Sequence, residues 1–440
     1  MRILVTGAHG FLGSHIAVGL VAAGHQVVGA GRDLTFARRI LPQLEWIACD
    51  FNSDTSPETW RPRLKDIDAV VNTVGVLQAT RRDRLRRIHV DSMIALYEAC
   101  RQEGVRRFVQ ISALGIETAD TDYARTKRAG DEALAATDLD WVILRASLVI
   151  GRGSYGGTAL MRGLAGLPGL IPLTADGGHQ LQPILMRDFV RTVVAMVGPG
   201  APSRAIVPVA GPVRMTLKEV VLTLRQWLGF GPVRTIAFPV SMFRLAAKFG
   251  DAMGWLGVPT AFRTTSIAQM EAGSYVVAAD QPRRLPRDAA PLRDGLFAEP
   301  ATVEDRWHAR LYFLKPLLRT VLGLYWLYEG VLTLILAYPV MLQSWRTIEI
   351  DGADAVGWTI TIADPFIHIA AGLGFLLRRW VIGAGLAMLA LLAVNIVMSF
   401  AWFWLDVRIS DHLWGWLLSI WKPFLVGTAI LVVLAIERER

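Results

Sequence analysis

Tyr123 and Lys127 stand four residues apart, in Tyr123-Ala124-Arg125-Thr126-Lys127. On a helix that spacing puts both side chains on one face. The pairing has a chemical use. A phenol with a pKa of about 10 is a poor acid or base near neutral pH, and a neighbouring ammonium favours the phenolate and lowers that value. The same lysine can hold a ribose. Ser112, eleven residues ahead of Tyr123, can hold the oxygen of a reacting substrate. Ser112 closes the apolar run Arg107 to Ile111, which reads as a buried strand, so a strand end and a helix must bring the three together.

The elements that would position them begin at the amino terminus. Ile3-Leu4-Val5 has the pattern of a strand buried on both faces. Thr6-Gly7-Ala8-His9-Gly10-Phe11-Leu12-Gly13 follows, and then a helical pattern with Ile16, Leu20 and Val21 on one face. Gly24-His25 leads into a second strand, Gln26 to Ala30. In this β-turn-α-β order, Gly7 permits the tight turn, Gly10 lets the backbone approach a pyrophosphate, and Gly13 lets helix and strand pack closely. The helix amino terminus offers free N–H groups and a positive dipole end to phosphates. Cofactor contacts are therefore expected at Gly7, His9, Gly10, Phe11, Leu12 and Gly13. NAD enzymes place an acid at the end of the second strand; here Gly31 holds that place and Arg32 follows. Arg32 suits a ribose 2′-phosphate, with Arg38 and Arg39 as helpers, so NADP(H) is expected ahead of NAD(H). Asp33 is the acid if the strand ends a residue or two later. Further strands continue a doubly wound parallel sheet of the α/β class. Leu44 to Cys49 ends at Asp50, an expected adenine contact. Ala69 to Asn72 leads into Thr73-Val74-Gly75, a turn expected beside the nicotinamide ribose, and Trp141 to Leu144 ends at Arg145. Ligands of such sheets bind at the carboxyl ends of the strands.

TGAHGFLG, the Asn72-to-Gly75 turn, Ile111-Ser112-Ala113 and YARTK occur in the order found in short-chain dehydrogenases/reductases. Over residues 1 to about 300 the chain resembles the extended or atypical branch of that superfamily, in the subgroup containing the dehydrogenase-like accessory subunit of mitochondrial complex I. The resemblance implies a Rossmann-type domain in which Tyr123 is the acid/base, Lys127 tunes its pKa and anchors the ribose, and Ser112 is the oxyanion partner. Two residues depart from the pattern: His89 stands where many relatives carry Asn, and Ala146 replaces the Pro often found after the strand-end Arg. Residues 152 to 300 would form the substrate-covering part, with Gln182-Pro183-Ile184 and Asp188 resembling the family's segment near the substrate cleft. Within it, Val240 to Leu256 mixes Met242, Leu245, Phe249, Met253 and Trp255 with Arg244, Lys248 and Asp251. It reads as a helix covering the core, or as one lying on a membrane surface or lining an apolar substrate path. The run Arg81, Arg82, Arg84, Arg86 and Arg87 reads as a solvated helix start, or as an attractor of lipid headgroups or an anionic substrate.

Composition divides the 440 residues near position 305. A mean hydropathy of +0.38 comes mainly from the last third. The net charge of +8 accompanies no zinc-finger or RNA-binding signature, so a phosphorylated cofactor or anionic lipid accounts for it better than nucleic acid. Cys49 and Cys100 have neither metal-ligand nor redox spacing and read as buried thiols, which suits a reducing compartment. The run Ile3 to Thr6 is too short for a signal peptide.

Residues 306–440 read as a membrane domain. Leu317 to Leu342, Trp358 to Leu377, Trp380 to Leu405 and Leu413 to Ile436 each approach the roughly 20 apolar residues of a spanning helix, although Asp364-Pro365 interrupts the second. Arg310, Lys315, Arg319, Arg378, Arg379, Arg438 and Arg440 flank one side. Glu349, Asp351, Asp354, Asp406, Arg408 and Asp411 lie in the other loops. The positive-inside rule then puts both termini and the nucleotide-binding domain in the cytoplasm of a bacterial-type inner membrane, with Trp345, Trp358, Trp404, Trp414 and Trp416 as an outer aromatic belt. With Trp421-Lys422-Pro423, this region resembles DoxX-like four-helix membrane domains. Each helix carries one polar group near its middle, Glu329, His368, Asn395 and Lys422, and these are expected to converge, with Glu329 and Lys422 paired. Taken together, the sequence describes a membrane-anchored NADP(H)-dependent oxidoreductase whose partners are the bilayer and a small lipophilic carbonyl or quinone-like substrate. Two alternatives are an NADP(H)-binding structural or sensing subunit of a membrane redox complex and an epimerase or dehydratase of the extended branch.

Overall fold

A computed structural model describes residues 1–80, 83–153, 155–174, 177–255, 263–337, 352–377, 379–405 and 413–437. The chain forms two compact units, Met1–Arg310 and Leu311–Arg440.

In the first unit, short runs of Val, Ile, Leu and Ala between glycine or polar turns make strands buried on both faces, and amphipathic helices cover them. The elements run β1 (Arg2–Thr6), α1 (Phe11–Ala22), β2 (Gln26–Gly31), α2 (Leu34–Ile40), β3 (Glu45–Ala48), α3 (Pro57–Leu64), β4 (Ala69–Asn72), α4 (Ser92–Gln102), β5 (Arg107–Ala113), α5 (Asp122–Ala135) and β6 (Asp140–Ala146). Beyond them lie β7 (Val149–Ile150), α6 (Gly157–Ala165), β8 (Leu170–Thr174), β9 (Gln180–Leu181), β10 (Ile184–Leu185), α7 (Met186–Val197), β11 (Ala205–Val209), β12 (Met215–Thr216), α8 (Leu217–Trp227), β13 (Arg234–Phe238), α9 (Val240–Trp255), α10 (Thr264–Ala272) and α11 (Leu292–Phe297). One seven-stranded sheet has the order β11-β6-β5-β4-β1-β2-β3, and all its pairings are parallel. The order reverses between β1 and β4, where Thr6 pairs with Asn72. A crevice opens at such a reversal, outside the carboxyl ends of the strands.

Two apolar clusters sandwich the sheet. One joins Ile3, Val5 and Val71 to Ile16 and Leu20 of α1 and Phe189 and Val193 of α7. The other joins Leu4, Val70 and Phe108 to Trp60, Leu96 and Trp141. A third, separate cluster holds the covering part, built on Ile171, Leu173, Val220, Leu224 and Trp227. The strands extend beyond their apolar runs. Ser112 lies inside β5 rather than just after it, and Arg145 lies inside β6, because hydrogen-bonded pairing continues to Ser112–Arg145 and Ala113–Ala146.

The helices of the second unit are α12 (Val303–Leu332, begun in the first unit), α13 (Gly352–Leu376), α14 (Val381–Leu405) and α15 (Leu413–Glu437). Asp364-Pro365 interrupts the apolar run but not the helix: α13 runs through Pro365, and the His368 ring reaches back to the Asp364 carbonyl at 2.9 Å. Leu322, Trp326, Phe375, Met388, Ile430 and Val433 form the packed seam. Among the described residues one helix, Val303–Leu336, is long and apolar enough to cross a membrane; Ala363–Leu376 and Val381–Val397 are shorter apolar stretches. Of the expected polar centre, Lys422 Nζ and Glu329 Oε1 pair at 2.9 Å, and His368 stacks on Trp326 with ring centroids 4.7 Å apart. Asn395 is exposed and does not join them. Arg81, Arg82, Trp345, Glu349, Asp351, Arg378, Asp406, Arg408, Asp411, Arg438 and Arg440 lie outside the described residues, as do the side chains of Met253, Trp255, Asp354, Trp358, Trp404, Trp414, Trp416 and Trp421.

Candidate functional site

The glycine turn is built where the sequence puts it. Gly7 has φ +71°, a conformation L side chains rarely adopt, and its N–H bonds to the Ala30 carbonyl at 2.8 Å. A Cβ on Gly13 would overlap the Gly7 carbonyl oxygen and lie 2.7 Å from Thr73 Oγ1, so only glycine lets α1 cross this close to the turn. α1 starts with Gly10 as its N-cap, with no side-chain cap and no acid in the first turn. Its free N–H groups and positive end therefore remain available to an anion. The cradle fits the pyrophosphate of a dinucleotide, with Phe11 and Leu12 opening the helix beside it.

The end of β2 has no room for an acid. His9 rests on Gly31, and a Cβ there would overlap the imidazole; the ring also meets Phe36 and Trp46 edge-on. Asp33 is occupied as the N-cap of α2, accepting from the Phe36 N–H at 3.0 Å. Arg32 is half-exposed and pairs with Asp83 at 2.6 Å, while Arg38 and Arg39 are exposed in the last turn of α2. Asp50 accepts from Asn52 N at 3.1 Å. Thr73 Oγ1 donates to the Thr6 carbonyl at 2.7 Å, bracing β1 against β4. Gly75 faces the chemistry: a Cβ on it would lie 3.6 Å from Lys127 Nζ.

Thr121 caps α5, accepting from Ala124 N at 3.1 Å, which fixes the helix start and aims Tyr123 and Lys127 from one face. Lys127 Nζ is buried and donates to the Ile111 carbonyl at 2.9 Å. Ser112 is buried on the adjoining strand end and donates to Asp131 Oδ2 at 2.6 Å. Asp131 is the residue the sequence reading missed. It repeats the spacing, i, i+4, i+8 from Tyr123, and that recurrence was the available signal. Its side chain is 2% exposed, its Oδ1 has no hydrogen-bond partner among the described residues, and Arg145 Nε stands 4.0 Å from Oδ2. Arg145 itself pairs with Glu117. Burial pushes the Tyr123 phenol up to about 12, with the Asp131 charge adding to the effect. Burial pushes the Lys127 ammonium down against the pull of Asp131, and pushes the Asp131 carboxyl up against the pull of Lys127. The lowering expected from Lys127 is thus outweighed by burial, and Tyr123 is a protonated phenol at neutral pH.

His89 sits in a π-helical turn, Arg87–Asp91, a device that often re-aims a side chain at a functional site. Its Nε2 accepts the Val76 N–H at 3.1 Å. That assigns the proton to Nδ1, 2.9 Å from Thr126 Oγ1, and the ring meets Tyr123 edge-on at 5.7 Å. The imidazole thus ties the Gly75 turn to α5. Burial, with the Lys127 charge second, pushes its pKa down to about 3. Between that value and the unfolded value of about 6.5, the unfolded chain binds a proton that the folded chain refuses, so stability falls as pH falls through this window. His89→Asn removes that dependence. Unfolding free energies from urea titrations between pH 7 and 4 should decline less steeply in the variant, by up to about 3 kcal/mol over that range.

The α9–α10 pair covers the amino end of α5. Gln78 Nε2 donates to Ser266 Oγ at 2.7 Å, Arg263 Nη1 to the Ala79 carbonyl at 3.1 Å, and Gln269 Nε2 to Thr121 Oγ1 at 2.8 Å. Ile116, Ala119 and Ala124 pack with Tyr123 and Ala272 beneath it. Gln182 and Asp188, expected near the cleft, instead clasp the covering part. Gln182 bonds the Gly211 carbonyl and the Val276 N–H, and Asp188 accepts from Ala290 N. A groove of about 830 Å³ among α1, α7 and α11 contains none of Ser112, Tyr123 and Lys127.

Comparison with known proteins bears on this site. Residues 7–162 match a family of NAD(P)H-binding domains. The chain is similar to the photosystem II assembly factor Ycf39 of Synechocystis, 26% identical over 263 residues that cover 58% of this chain and 76% of that one. It is also similar to the ceramide reductase of Caulobacter vibrioides, 30% identical over 155 residues, 34% of this chain and 47% of that one. Among solved structures, the triphenylmethane reductase of Citrobacter sp., complexed with NADP(H), has the same fold, with TM-score 0.52, 18% identity, and coverage of 68% of this chain and 99% of that one.

Proposed function

We propose that the protein, whose residues 7–162 match a family of NAD(P)H-binding domains, is a membrane-anchored, NADP(H)-dependent oxidoreductase of the extended short-chain dehydrogenase/reductase type, acting on a lipophilic carbonyl or quinone-like compound. The observation that carries the reading is the buried set Ser112, Lys127 and Asp131 beside the glycine turn, with the Tyr123 phenol kept protonated on the same helix face. Gly7, Gly10 and Gly13 with the first turn of α1 would hold the pyrophosphate, and Lys127, facing Gly75, the ribose. The bound dinucleotide supplies hydride. The chain would supply the proton: Tyr123 gives it to the substrate oxygen, Lys127 steadies the phenolate left behind, and Ser112, its own proton taken by Asp131, accepts from the hydroxyl so formed.

Preference for the 2′-phosphate rests on Arg32 and on the lack of space for an acid at Gly31. Arg32→Ala should weaken NADPH about 10- to 100-fold, the worth of one or two charge-assisted hydrogen bonds, and leave NADH unchanged by fluorescence titration. Equal loss for both nucleotides would refute the assignment.

The anchoring half of the proposal rests on the second unit, whose packed seam is thin and whose outward faces are apolar. Leu317, Val397 and Leu425 are 58%, 65% and 68% exposed, against the usual rule for a soluble surface. Of the ion pairs between α12 and α15, Glu329–Lys422 sits amid these apolar faces, whereas Lys315 and Arg319 meet Glu437 near the end of α15. Native mass spectrometry of the detergent-purified chain tests the whole reading: co-purified NADP(H) and lipid support it, and failure of NADPH to bind on titration ends it. The epimerase or dehydratase alternative predicts instead a tightly held nucleotide that shows no net turnover.

A further inference from the structure

We infer that α9 is a docking surface for the face of an anionic lipid bilayer, and that it brings the cover of the catalytic tyrosine into the interfacial layer. The inference rests on the reading of the second unit as a membrane anchor.

α9 has three sectors. Ala247 and Gly250 are buried against the protein. Met242, Leu245 and Phe249, at i, i+3 and i+7, form one outward stripe and are 55%, 71% and 70% exposed. Such a stripe usually turns inward on a helix that covers a core; here Ala247 and Gly250 make the covering contact and the stripe faces out. Arg244 and Lys248 form the third sector along one edge of the stripe, and both are exposed. Arg244 is steadied by Glu271 of α10 at 3.0 Å. An apolar stripe with a basic edge is the chemistry of a helix lying in an interface that carries negative charge.

The position of α9 is what gives the surface a use. α9 joins α10 through Asp251, which accepts from Arg263 at 2.9 Å and from Thr264 at 2.6 Å. α10 in turn sits on Thr121 and Gln78, packed above Tyr123. A bilayer taken up by α9 therefore lies against the same two-helix cover that closes the catalytic face. A substrate dissolved in lipid would reach the tyrosine without crossing bulk water.

The test uses the full chain, one copy per nanodisc, in discs of phosphatidylcholine with or without phosphatidylglycerol. Cys49 and Cys100 are buried, and burial raises both thiols, Cys49 to about 12, so a maleimide fluorophore reports only an introduced cysteine. Three sites are labelled: Leu245→Cys on α9, Gln102→Cys at the opposite, amino-terminal end of the strands, and Leu431→Cys on the outward face of α15. Spin-labelled lipid then acts as quencher. An interfacial helix sets its apolar face about 5–10 Å into the boundary, so the Leu245 probe should be quenched about twofold more than the Gln102 probe. Replacing phosphatidylglycerol or adding Lys248→Glu should lower that quenching. Quenching at Leu431 but not at Leu245 overturns the docking surface while leaving the anchor standing. Quenching at neither site removes the anchor itself. Blue-shifted emission at Leu245 without lipid quenching means that protein covers the stripe, and it also overturns the inference.

Discussion

Replacing Tyr123 by Phe should lower turnover about 10²- to 10⁴-fold, the usual worth of a positioned general acid, and leave NADPH affinity unchanged. The substitution removes one hydroxyl and keeps the ring, so the packing with Ile116, Ala119 and Ala272 and the edge contact with His89 survive. NADPH oxidation in detergent with a short-chain quinone or a fatty ketone as acceptor measures the loss. A phenol held near 12 stays protonated through the neutral range, so reduction by the intact enzyme should be flat from pH 6 to 9 with respect to this group. Full activity of the Phe variant would move the chemistry elsewhere. Unaltered performance in cells, with no turnover in either protein, would favour a structural or sensing role.

The second large effect belongs to Gly13. An alanine there places its Cβ on the Gly7 carbonyl and 2.7 Å from Thr73 Oγ1. Both are held: Gly7 by its bond to Ala30, and Thr73 by its bond to Thr6. Neither can yield without parting α1 from β1. Overpacking of this kind costs about 1–3 kcal/mol, and the displaced helix end also loses its aim at the pyrophosphate. Gly13→Ala should lower the urea midpoint and abolish saturable NADPH binding. Gly157→Ala is the control. It sits in the first turn of α6 with open space around it, and it should be neutral or slightly stabilising.

Much of this was written in local patterns. The glycine spacing needs only neighbours in sequence to declare the turn, and the i, i+4 relation of Tyr123 and Lys127 needs only a helix. Their placement followed because parallel strands bury continuous apolar runs, which are easily read. What escaped depends on contacts far apart in sequence. Nothing near Asp131 says that Ser112, nineteen positions earlier, would donate to it. Asp33 looked like a candidate ribose ligand until its role as a helix cap used its carboxylate. Gln182 and Asp188 bear polar groups suited to a cleft, yet their partners at Gly211, Val276 and Ala290 make them clasps. The orientation of α9 was undecidable for a related reason: periodicity shows that a helix has an apolar side, and only the packing of Ala247 and Gly250 shows which side turns inward.

The hydrogen bond from Ser112 to Asp131 has a bearing on direction and selectivity. A serine has one proton, and here the carboxylate takes it, so the hydroxyl can offer a ligand only lone pairs. A ketone oxygen, itself an acceptor, gains nothing from Ser112 unless that proton is turned away from Asp131 and the buried carboxylate is left bare. An alcohol suits the serine as it stands. In the proposed reaction the molecule that leaves is therefore better matched to Ser112 than the one that arrives. The cycle would be throttled at departure, and an excess of alcohol would inhibit it more strongly than an equal excess of ketone.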